Sequence, residues 1–378
     1  MKTILYIVST LGHSGPTNQL YNIIKYLDRK KFEPYVITLS PEPQRSRWND
    51  YADLKVNLYS LGLSRLQGFI HAKRQVQTLI AEIKPDIVHT QGIRGDIISS
   101  KSKVDVPKLA TIRNIPQLDY ILTYGRVIGC FMYRWHIRAL KKIPLCIGVS
   151  EAVSNNLKNK YEIRNVLTIQ NGIDTGIYFP SNDNEKSQLR RINKLPLNGN
   201  IFISSGHLSE RKDPLFLVRM WSKKFASHDN NHLVFIGKGK LQEKCVKESA
   251  NIKNVHILGQ VDNTVDYLRS GDYFISVSQA EGLPNAVLEA MACGLPVLLS
   301  GIQPHKEILA FSPGAGFYYE PGNEESFSSY LDKMITMDKA AMRKASLESI
   351  KQNFDAQKMS EAYQKQYNRL LLTFCEAA

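Results

Sequence analysis

The sequence predicts an α/β protein built from two doubly wound domains, each with a parallel sheet between layers of helices. Short apolar runs of strand length alternate with longer stretches of helical spacing, and this alternation favours parallel sheets. At 378 residues the chain is too long for one compact core and suits two domains. A second series of strands and helices begins at Ile201, which supports the division.

The first half opens with a predicted strand at Ile4–Ser9, followed by a loop, residues 12–17, that leads into a helix. In that helix, apolar residues recur at helical spacing. A longer helix is predicted over Phe69–Ile83. The other strands of this half are predicted at Pro34–Leu39, Val56–Leu58, Ile87–His89, Lys108–Ile112 and Leu145–Val149.

The second half begins after the polar stretch Ser181–Asn200, which we interpret as a linker or a surface excursion. The chain is expected to close with an amphipathic helix, Met359–Leu372. The strands of this half are predicted at Ile201–Ser204, Leu233–Ile236, Val255–Leu258, Tyr273–Val277 and Val297–Leu299.

Composition suggests a protein of the reducing cytosol. No apolar run approaches the ~18 residues of a membrane span, and the N-terminus lacks the features of a secretory signal. The cysteines are odd in number and scattered, which argues against a disulfide framework and against a zinc site. They lie at Cys130, Cys146, Cys245, Cys293 and Cys375.

The stretch from Ser278 to Ser300 is the most informative, because two glutamates lie eight residues apart in a strand–loop–helix pattern. Glu281 comes in a loop with glycine and proline, and Glu289 falls about two turns into the following helix. A helix start favours anions and polar oxygens, and a carboxylate can accept hydrogen bonds from a diol. This arrangement fits a ligand with a sugar at one end, a ribose at the other and phosphates between.

The segment EGLPNAVLEAMACGLPV resembles the E-x7-E motif of retaining glycosyltransferases of family 4, which have the GT-B fold. The resemblance is strongest between Asn171 and Gly322. It implies two Rossmann-like domains facing a cleft, with an acceptor-side domain at 1–170 and a nucleotide-sugar-binding domain at 171–355. Residues 356–378 would form a helix that packs back on the first domain.

The resemblance also assigns roles around the motif. Glu281 would bind hydroxyls of the donor sugar and Glu289 the ribose. The backbone of the loop between them would hold phosphate or sugar oxygens, through Gly282, Leu283, Pro284 and Asn285.

The loop Ser205–Pro214 resembles the family's Gly-Arg…Lys loop, whose two cations hold the donor diphosphate. Lys212 matches the lysine, and a fixed cation there would stabilise the departing diphosphate. His207 stands where the arginine usually is, which is a departure, and Arg211 is an alternative second cation or else a solvated surface charge. Gly15, in the first βα loop, matches a glycine that lets the backbone approach the diphosphate.

Three other positions complete the expected site. Gly237 and Gly239 match a turn that shapes the floor under the nucleotide, and Leu258 lies where backbone pairs with the base. Gln91 stands where some family members carry a functional histidine. It can hydrogen-bond the transferred sugar but cannot exchange a proton, and the nearby His89 is either catalytic or a satisfied core residue. The pair Arg113 and Asn114 is a candidate acceptor contact or a structural turn.

No metal or other cofactor is expected. The sequence lacks Asp-x-Asp, the usual carboxylate pair for a divalent ion on a diphosphate, so Lys212 and helix termini would supply the compensating charge.

The chain is strongly basic, with a formal net charge of +14, and the segment from Lys101 to Lys160 has eleven Lys or Arg against three Asp or Glu. A nucleic-acid partner is not expected, because no recognition module is present. Read as one helix, Tyr120–Lys142 places Tyr124, Ile128, Phe131 and Trp135 on one side, flanked by arginines. This pattern suits an anionic membrane surface. The alternative is a solvated basic helix whose aromatic residues face the core.

We therefore predict a retaining glycosyltransferase, peripheral on the inner face of the cell membrane. It would move a hexose or N-acetylhexosamine from a UDP-sugar, with GDP-mannose as second choice, to a lipid-linked glycan in surface polysaccharide synthesis such as capsule or lipopolysaccharide. Two alternatives stay open: a soluble transferase acting on a small molecule or protein, and a catalytically silent partner that binds a nucleotide sugar. A UDP-sugar epimerase is disfavoured by the E-x7-E loop.

Overall fold

The computed structural model describes residues 1–102, 104–225 and 230–377. The chain forms two compact units. The first comprises Met1–Gly172 together with the chain from Ala356 onward, and the second comprises Ile173–Asp355.

The first unit contains a seven-stranded parallel sheet with the order β3-β2-β1-β4-β5-β6-β7. Its strands are β1 Lys2–Val8, β2 Phe32–Thr38, β3 Asn57–Ser60, β4 Ile87–Gln91, β5 Lys108–Ile112, β6 Leu145–Gly148 and β7 Val166–Thr168. Its helices are α1 Gly15–Lys25, α2 Trp48–Asp53, α3 Arg65–Ile83, α4 Ile93–Ser100, α5 Pro116–Tyr124, α6 Arg126–Leu140 and α7 Glu151–Asn155, which continues as a π-helical turn, Asn156–Lys160.

Both faces of this sheet are buried, which explains why its strands are continuous apolar runs. In β1, Ile4 and Tyr6 pack into the core on one face, whereas Leu5 and Ile7 pack into the core on the other. The alternation follows from the period of two in a strand.

The second unit contains a six-stranded parallel sheet with the order β10-β9-β8-β11-β12-β13. Its strands are β8 Asn200–Ser205, β9 Asn231–Ile236, β10 Val255–Ile257, β11 Tyr273–Ser276, β12 Val297–Ser300 and β13 Gly316–Tyr319. Its helices are α8 Asp183–Ile192, α9 Pro214–Phe225, α10 Gln242–Ser249, α11 Thr264–Ser270, α12 Asn285–Ala292, α13 Gln303–Ala310, α14 Glu324–Thr336 and α15 Lys339–Asn353.

The last helix, α16 (Ala356–Ala377), belongs to the first unit and packs against α1. A buried polar network fixes it to the sheet. The hydroxyl of Tyr367 lies 3.1 Å from that of Tyr6 and 2.9 Å from Nδ1 of His89, and the hydroxyl of Tyr363 lies 3.1 Å from Oγ1 of Thr111. The helix therefore contributes buried side chains and hydrogen bonds to the first unit.

The predicted fold class, two doubly wound α/β domains, is confirmed, and the structure revises the interpretation of two segments. The supposed linker Ser181–Asn200 contains the helix α8, which begins with a capping box formed by Asn182 and Glu185. The segment Tyr120–Lys142 is not one helix, because Gly125, with φ of +80°, ends α5 and starts α6. Only glycine adopts such a backbone conformation without strain.

Two strands were not predicted, β7 and β13. Each is short and only partly buried, so neither has the apolar run that marks the inner strands.

Candidate active site

The loop that follows β8 positions two of the predicted cations. Gly206 has φ of +143°, and a Cβ atom there would lie 3.2 Å from Cε of Lys212. The lysine side chain therefore folds back over Gly206. The amide of Lys212 donates to the carbonyl of Ser209, at 2.9 Å, which closes the turn before α9.

The glycine turn after β9 supports this loop. A Cβ atom on Gly237 would lie 2.0 Å from the carbonyl oxygen of Gly206, and one on Gly239 would lie 2.2 Å from that of Leu208. Since neither position has room for a side chain, the two glycines allow the loops after β8 and β9 to meet backbone to backbone. The amide of Leu208 donates to the carbonyl of Lys238 at 3.1 Å.

Glu281 lies just beyond the carboxyl end of β11 and forms ion pairs with both cations of the neighbouring loop. Nζ of Lys212 is 2.6 Å from Oε1, and Nη1 of Arg211 is 2.7 Å from Oε2. Arg211 also donates to the carbonyl of Ala280, at 2.8 Å. Arg211 is therefore not a solvated surface charge, the alternative left open by the sequence, but part of a three-residue charge cluster.

The charge state of Glu281 follows from these contacts. Its side chain is only 8% exposed, and burial alone would raise its pKa. The charges of Lys212 and Arg211 outweigh burial and lower the pKa to about 2. The cluster thus carries one negative and two positive charges. The surplus positive charge suits an incoming phosphate.

His305, in α13, was not singled out from the sequence, yet it interacts electrostatically with Glu281. The ring is fully buried, with Nδ1 2.8 Å from the carbonyl oxygen of Ser300 and Nε2 3.4 Å from Oγ of Ser276. Burial lowers its pKa to about 4, so the imidazole is neutral near pH 7. The histidine comes from the next βα unit, so no local motif links it to Glu281.

Glu289, on α12, has the opposite electrostatic character. Burial raises its pKa to about 7, although a hydrogen bond from Tyr178 and the charge of Lys212 act to lower it. Near neutral pH this side chain therefore exchanges between the carboxylate and the carboxylic acid. The two glutamates of the motif therefore differ in protonation near neutral pH: Glu281 is ionised, whereas Glu289 is ionised only in part.

The loop between the glutamates is mostly buried, at Gly282, Leu283 and Pro284. Pro284 is the N-cap of α12, with φ of −75° and ψ of 107°, and Asn285 is the first helical residue. Because proline has no side-chain acceptor, α12 begins without a side-chain cap.

Two other predicted residues of the second unit lie around this centre. His207 is exposed at the start of the loop after β8. Leu258 follows β10, and its amide donates to the carbonyl of Phe235 at 3.0 Å. That amide is therefore engaged in the sheet, which leaves the carbonyl and the partly exposed side chain of Leu258 as the groups a base could meet.

The remaining predicted residues belong to the first unit. Gly15 is the first residue of α1, whose N-cap, Ser14, accepts from the amide of Thr17. Gln91, at the end of β4, is 7% exposed. Its Oε1 accepts from Arg113, with Nη2 at 2.8 Å, while its buried Nε2 has no hydrogen-bond partner among the described residues. The amide group thus has both N–H donors of Nε2 left for a ligand.

His89 and the Arg113–Asn114 pair have structural partners. His89 is fully buried, and burial, reinforced by the charge of Arg113, lowers its pKa well below the ordinary value. Its Nε2 is 2.8 Å from Oγ1 of Thr111. It is therefore a satisfied core histidine. Asn114 donates to Asp119, at 2.7 Å, which ties this turn to α5.

The helices α5 and α6 carry an exposed apolar face. Phe131 is 68% exposed and Val127 is 84% exposed, so the interpretation that placed Phe131 in the core was wrong. Arg126, Arg134 and Arg138 are exposed beside them. The face comprises Leu118, Leu122, Tyr124, Val127, Ile128 and Phe131.

Beneath that face, a buried chain of hydrogen bonds fixes the two helices to α4. Nε2 of His136 lies 2.7 Å from Oδ2 of Asp96, and its Nδ1 lies 2.9 Å from the hydroxyl of Tyr120. A Cβ atom on Gly129 would lie 2.5 Å from the carbonyl oxygen of Tyr120, so α5 and α6 pack closely. The apolar face is thus presented by a firmly held helix pair.

Neither a membrane-spanning helix nor a metal-binding cluster occurs among the described residues. Among the described residues, no helix is both long and apolar enough to span a bilayer. Within the same residues, no group of three or more His, Cys, Asp or Glu side chains is arranged to hold a metal ion. Four cysteines, Cys130, Cys146, Cys245 and Cys293, are free thiols, and the side chain of Cys375 lies outside the described part.

Comparison with protein families gives a match for each half of the chain. Residues 13–176 match the family described as Glycosyltransferase Family 4, and residues 185–351 match Glycosyl transferases group 1. The second match includes the whole segment from Lys212 to Glu289.

Individual relatives are glycosyltransferases as well. An uncharacterized glycosyltransferase of Haemophilus influenzae is 22% identical over 89% of this chain and 91% of its own length. The capsular polysaccharide biosynthesis glycosyltransferase CapH of Staphylococcus aureus is 30% identical over 37% of this chain and 41% of its own. An Escherichia coli UDP-Gal:alpha-D-GlcNAc-diphosphoundecaprenol alpha-1,3-galactosyltransferase is 27% identical over 69% of both chains.

Solved structures share the fold over nearly the whole chain. Sucrose-phosphate synthase from Thermosynechococcus elongatus superposes with a TM-score of 0.85, at 15% identity, covering 99% of this chain and all of that one. HepE of Anabaena, solved in complex with UDP-glucose, gives 0.82 at 15% identity, covering 98% of this chain and all of its own. At these identities the similarity concerns the fold alone.

Proposed function

The chain belongs to the glycosyltransferases and has the GT-B fold, and from that premise we propose that it transfers a hexose or N-acetylhexosamine from a nucleotide sugar to a hydroxyl of a lipid-linked glycan. The observation that carries the proposal is the cluster of Glu281, Lys212 and Arg211 at the carboxyl end of β11. In open α/β sheets this edge is where ligands bind.

In the proposed donor complex, Lys212 and Arg211 bind the diphosphate, and Glu281 accepts hydrogen bonds from hydroxyls of the sugar. The two cations outnumber the one carboxylate, so the cluster keeps a net positive charge that attracts the diphosphate. Glu289 binds the ribose as a carboxylate. Backbone groups of Gly282 to Asn285 and the Leu258 region contact the sugar, phosphates and base.

We propose retention of the anomeric configuration by front-face displacement. The bond from the anomeric carbon to the phosphate oxygen breaks, the bond to the acceptor oxygen forms on the same face, and the acceptor proton passes to the departing phosphate oxygen. A pKa of about 2 makes Glu281 a weak base, and Gln91 cannot take a proton. The leaving group is the stronger base of the three.

A UDP-sugar is the favoured donor and GDP-mannose the second choice. The names of two similar proteins support uridine: the Escherichia coli galactosyltransferase uses UDP-Gal, and HepE was solved with UDP-glucose. The same relative acts on a diphosphoundecaprenol-linked sugar, and CapH belongs to capsular polysaccharide biosynthesis. These names favour a lipid-linked acceptor in surface polysaccharide synthesis.

The proposed activity is tested by incubating the chain with a panel of UDP- and GDP-sugars and a lipid-linked acceptor, while nucleotide release is measured. We expect release from one UDP-sugar, dependent on the acceptor, and an α-linked product from an α-linked donor by NMR coupling constants. A β-linked product would contradict retention. Tight binding without acceptor-dependent release would favour the silent nucleotide-sugar-binding partner.

We propose that the reaction needs no metal ion, because Lys212 and Arg211 supply positive charge where a divalent ion would otherwise do so. Activity should persist in EDTA. Loss in EDTA that Mg²⁺ or Mn²⁺ restores would contradict this proposal.

We further propose that the apolar face of α5 and α6 binds the anionic surface of the cytoplasmic leaflet. Val127 and Phe131 would enter the interface, while Arg126, Arg134 and Arg138 meet lipid phosphates. Each such charge contributes about 1 kcal/mol near an anionic surface, and salt screens it.

Vesicle sedimentation tests this proposal. Binding to anionic vesicles should weaken with added salt and with Arg134→Glu/Arg138→Glu, and Phe131→Ser should reduce it. The matched control, Lys344→Glu, changes an exposed charge in the second unit and should leave binding intact. No binding at low salt would instead favour a soluble transferase with a small acceptor, the kind of reaction named for a similar N-acetyl-alpha-D-glucosaminyl L-malate synthase.

A further inference from the structure

A second pocket of the C-terminal unit lies at the opposite edge of its sheet from Glu281. Its volume is about 420 Å³. Asn200, Gly271 and Gly294 line it; Asn200 begins β8, and the two glycines lie two and three residues before β11 and β12. The pocket is therefore built at the amino ends of the strands, between α8 and α15.

The lining of this pocket has an excess of positive charge. Lys186, Arg190, Lys339 and Arg343 contribute four positive charges, while Asp183 and Asp272 contribute two negative ones. Asp272 already binds three of the cations: Oδ1 is 2.7 Å from Nζ of Lys186 and 3.2 Å from Nζ of Lys339, and Oδ2 is 2.5 Å from Nη2 of Arg190. The single negative charge of Asp272 therefore neutralises only part of the positive charge of these three cations.

The cations at the mouth are held in position but accessible. The side chain of Lys339 is 44% exposed. Nη2 of Arg343 donates to the carbonyl of Ser181 at 2.6 Å, and a Cβ atom on Gly294 would lie 3.0 Å from Cγ of Arg343. Glycine at that position leaves the space that the arginine occupies. Such pre-positioning lowers the entropy cost of binding an anion.

We propose that this pocket binds a phosphate monoester of a small polar metabolite, such as a sugar phosphate. The phosphoryl group would contact Lys339 and Arg343, because a guanidinium presents paired donors to phosphate and an ammonium adds a point charge. Ser187 and Asn200 would hydrogen-bond the hydroxyls of the remainder. The volume falls in the range of small-molecule sites and exceeds what a bare phosphate needs.

The lining favours a sugar phosphate over a nucleotide. The described residues that line the pocket include no aromatic side chain on which a base could stack. The site is also separate from the donor site, since the two lie at opposite ends of β11. Binding to this pocket can therefore be measured in a variant whose donor site has lost its cations.

Isothermal titration calorimetry with glucose 6-phosphate tests the proposal, with inorganic phosphate as the second probe. Wild-type protein should bind glucose 6-phosphate more tightly than inorganic phosphate. Lys339→Ala/Arg343→Ala should lose at least about tenfold in affinity, whereas Lys339→Arg, which keeps the charge, should bind nearly as wild type.

The matched control is Arg211→Ala/Lys212→Ala, which removes two cations at the other end of β11. This variant should keep its affinity for glucose 6-phosphate. Three results would overturn the proposal: no binding at millimolar glucose 6-phosphate, equal affinity for inorganic phosphate, or loss of binding in the Arg211/Lys212 variant alone. Circular dichroism of each variant establishes that the fold is retained.

Discussion

Two carboxylates bracket the same strand, β11, and each binds several cations. Asp272 precedes the strand and contacts Lys186, Arg190 and Lys339, whereas Glu281 follows it and contacts Arg211 and Lys212. For each, burial would raise the pKa, and the neighbouring cations lower it to about 2. At each end of β11, therefore, a buried carboxylate is kept ionised by neighbouring cations.

The two clusters differ in the structures that supply their cations. Around Asp272 the cations come from helices, and Asp272 also accepts from the amide of Ile201, at 2.8 Å, so the cluster links helices to strands. Around Glu281 the cations come from a loop that folds over Gly206. We infer that the buried part of the first cluster, Asp272 with Lys186 and Arg190, mainly stabilises the unit. Glu281 and its two cations are instead arranged to meet the donor.

The largest expected effect concerns stability. Asp272→Asn should lower the free energy of unfolding by about 3–5 kcal/mol, because it leaves buried cations without their counter-charge. Urea denaturation measures the change, and kcat at a temperature well below unfolding should stay near wild type. If the variant unfolded like wild type, the inferred structural role of Asp272 would be wrong.

Lys212→Ala should show the reverse pattern. We expect kcat to fall about 100- to 1000-fold, since one preorganised donor to the developing charge is removed. The melting temperature should move by only about 2–3 °C, because Arg211 still compensates Glu281. Lys223→Ala, an exposed residue of the same unit, is the control. An active variant that melts much earlier would assign Lys212 to structure.

The comparison also shows what could be predicted from the sequence. Glu281, Lys212 and the glycine turns were identifiable because each lies in a short motif after a strand. The Asp272 cluster has no such signature: Lys186 lies 86 residues before Asp272 and Lys339 lies 67 residues after it. Only the folded sheet brings them together.

The two errors have different physical origins. The segment Ser181–Asn200 looked like a linker because it is polar, yet Arg190 buries its guanidinium against Asp272 and the carbonyl of Ser270. Helical spacing did not predict the exposure of Phe131, because the break at Gly125 reorients the residues that follow it. Tertiary contacts overrode the local pattern in the first segment, and a break in the backbone did so in the second.

A smaller effect is expected at the other glutamate of the motif. Glu289→Ala should weaken nucleotide binding about tenfold, the loss expected for one or two charge-assisted hydrogen bonds to the ribose. Calorimetry with UDP and with uracil separates this contact from contacts to the base, since only UDP carries the ribose. Unchanged affinity for UDP would rule out the ribose role.

The last expected effect is a pH dependence that distinguishes Glu289 from Glu281. The pKa of Glu289 is raised from its ordinary value of 4.5 to about 7, so the folded chain binds more protons at this site than the unfolded chain. Its contribution to stability therefore falls as pH rises from about 4.5 to about 7 and stays low above that. Glu289→Gln does not titrate and should escape this loss.

Relative to wild type, Glu289→Gln should gain about 3 kcal/mol in free energy of unfolding between pH 4.5 and pH 7.5. Glu281→Gln provides the matched comparison. The pKa of Glu281 is lowered to about 2, so its carboxylate stabilises the folded chain above about pH 4.5, and this contribution is lost as pH falls toward 2. Its destabilisation should therefore shrink as the solution is acidified. Urea titrations of the three proteins between about pH 3 and about pH 7.5 measure both trends. Parallel pH profiles for the two variants would mean that the glutamates share one environment, which contradicts the opposite shifts in their pKa.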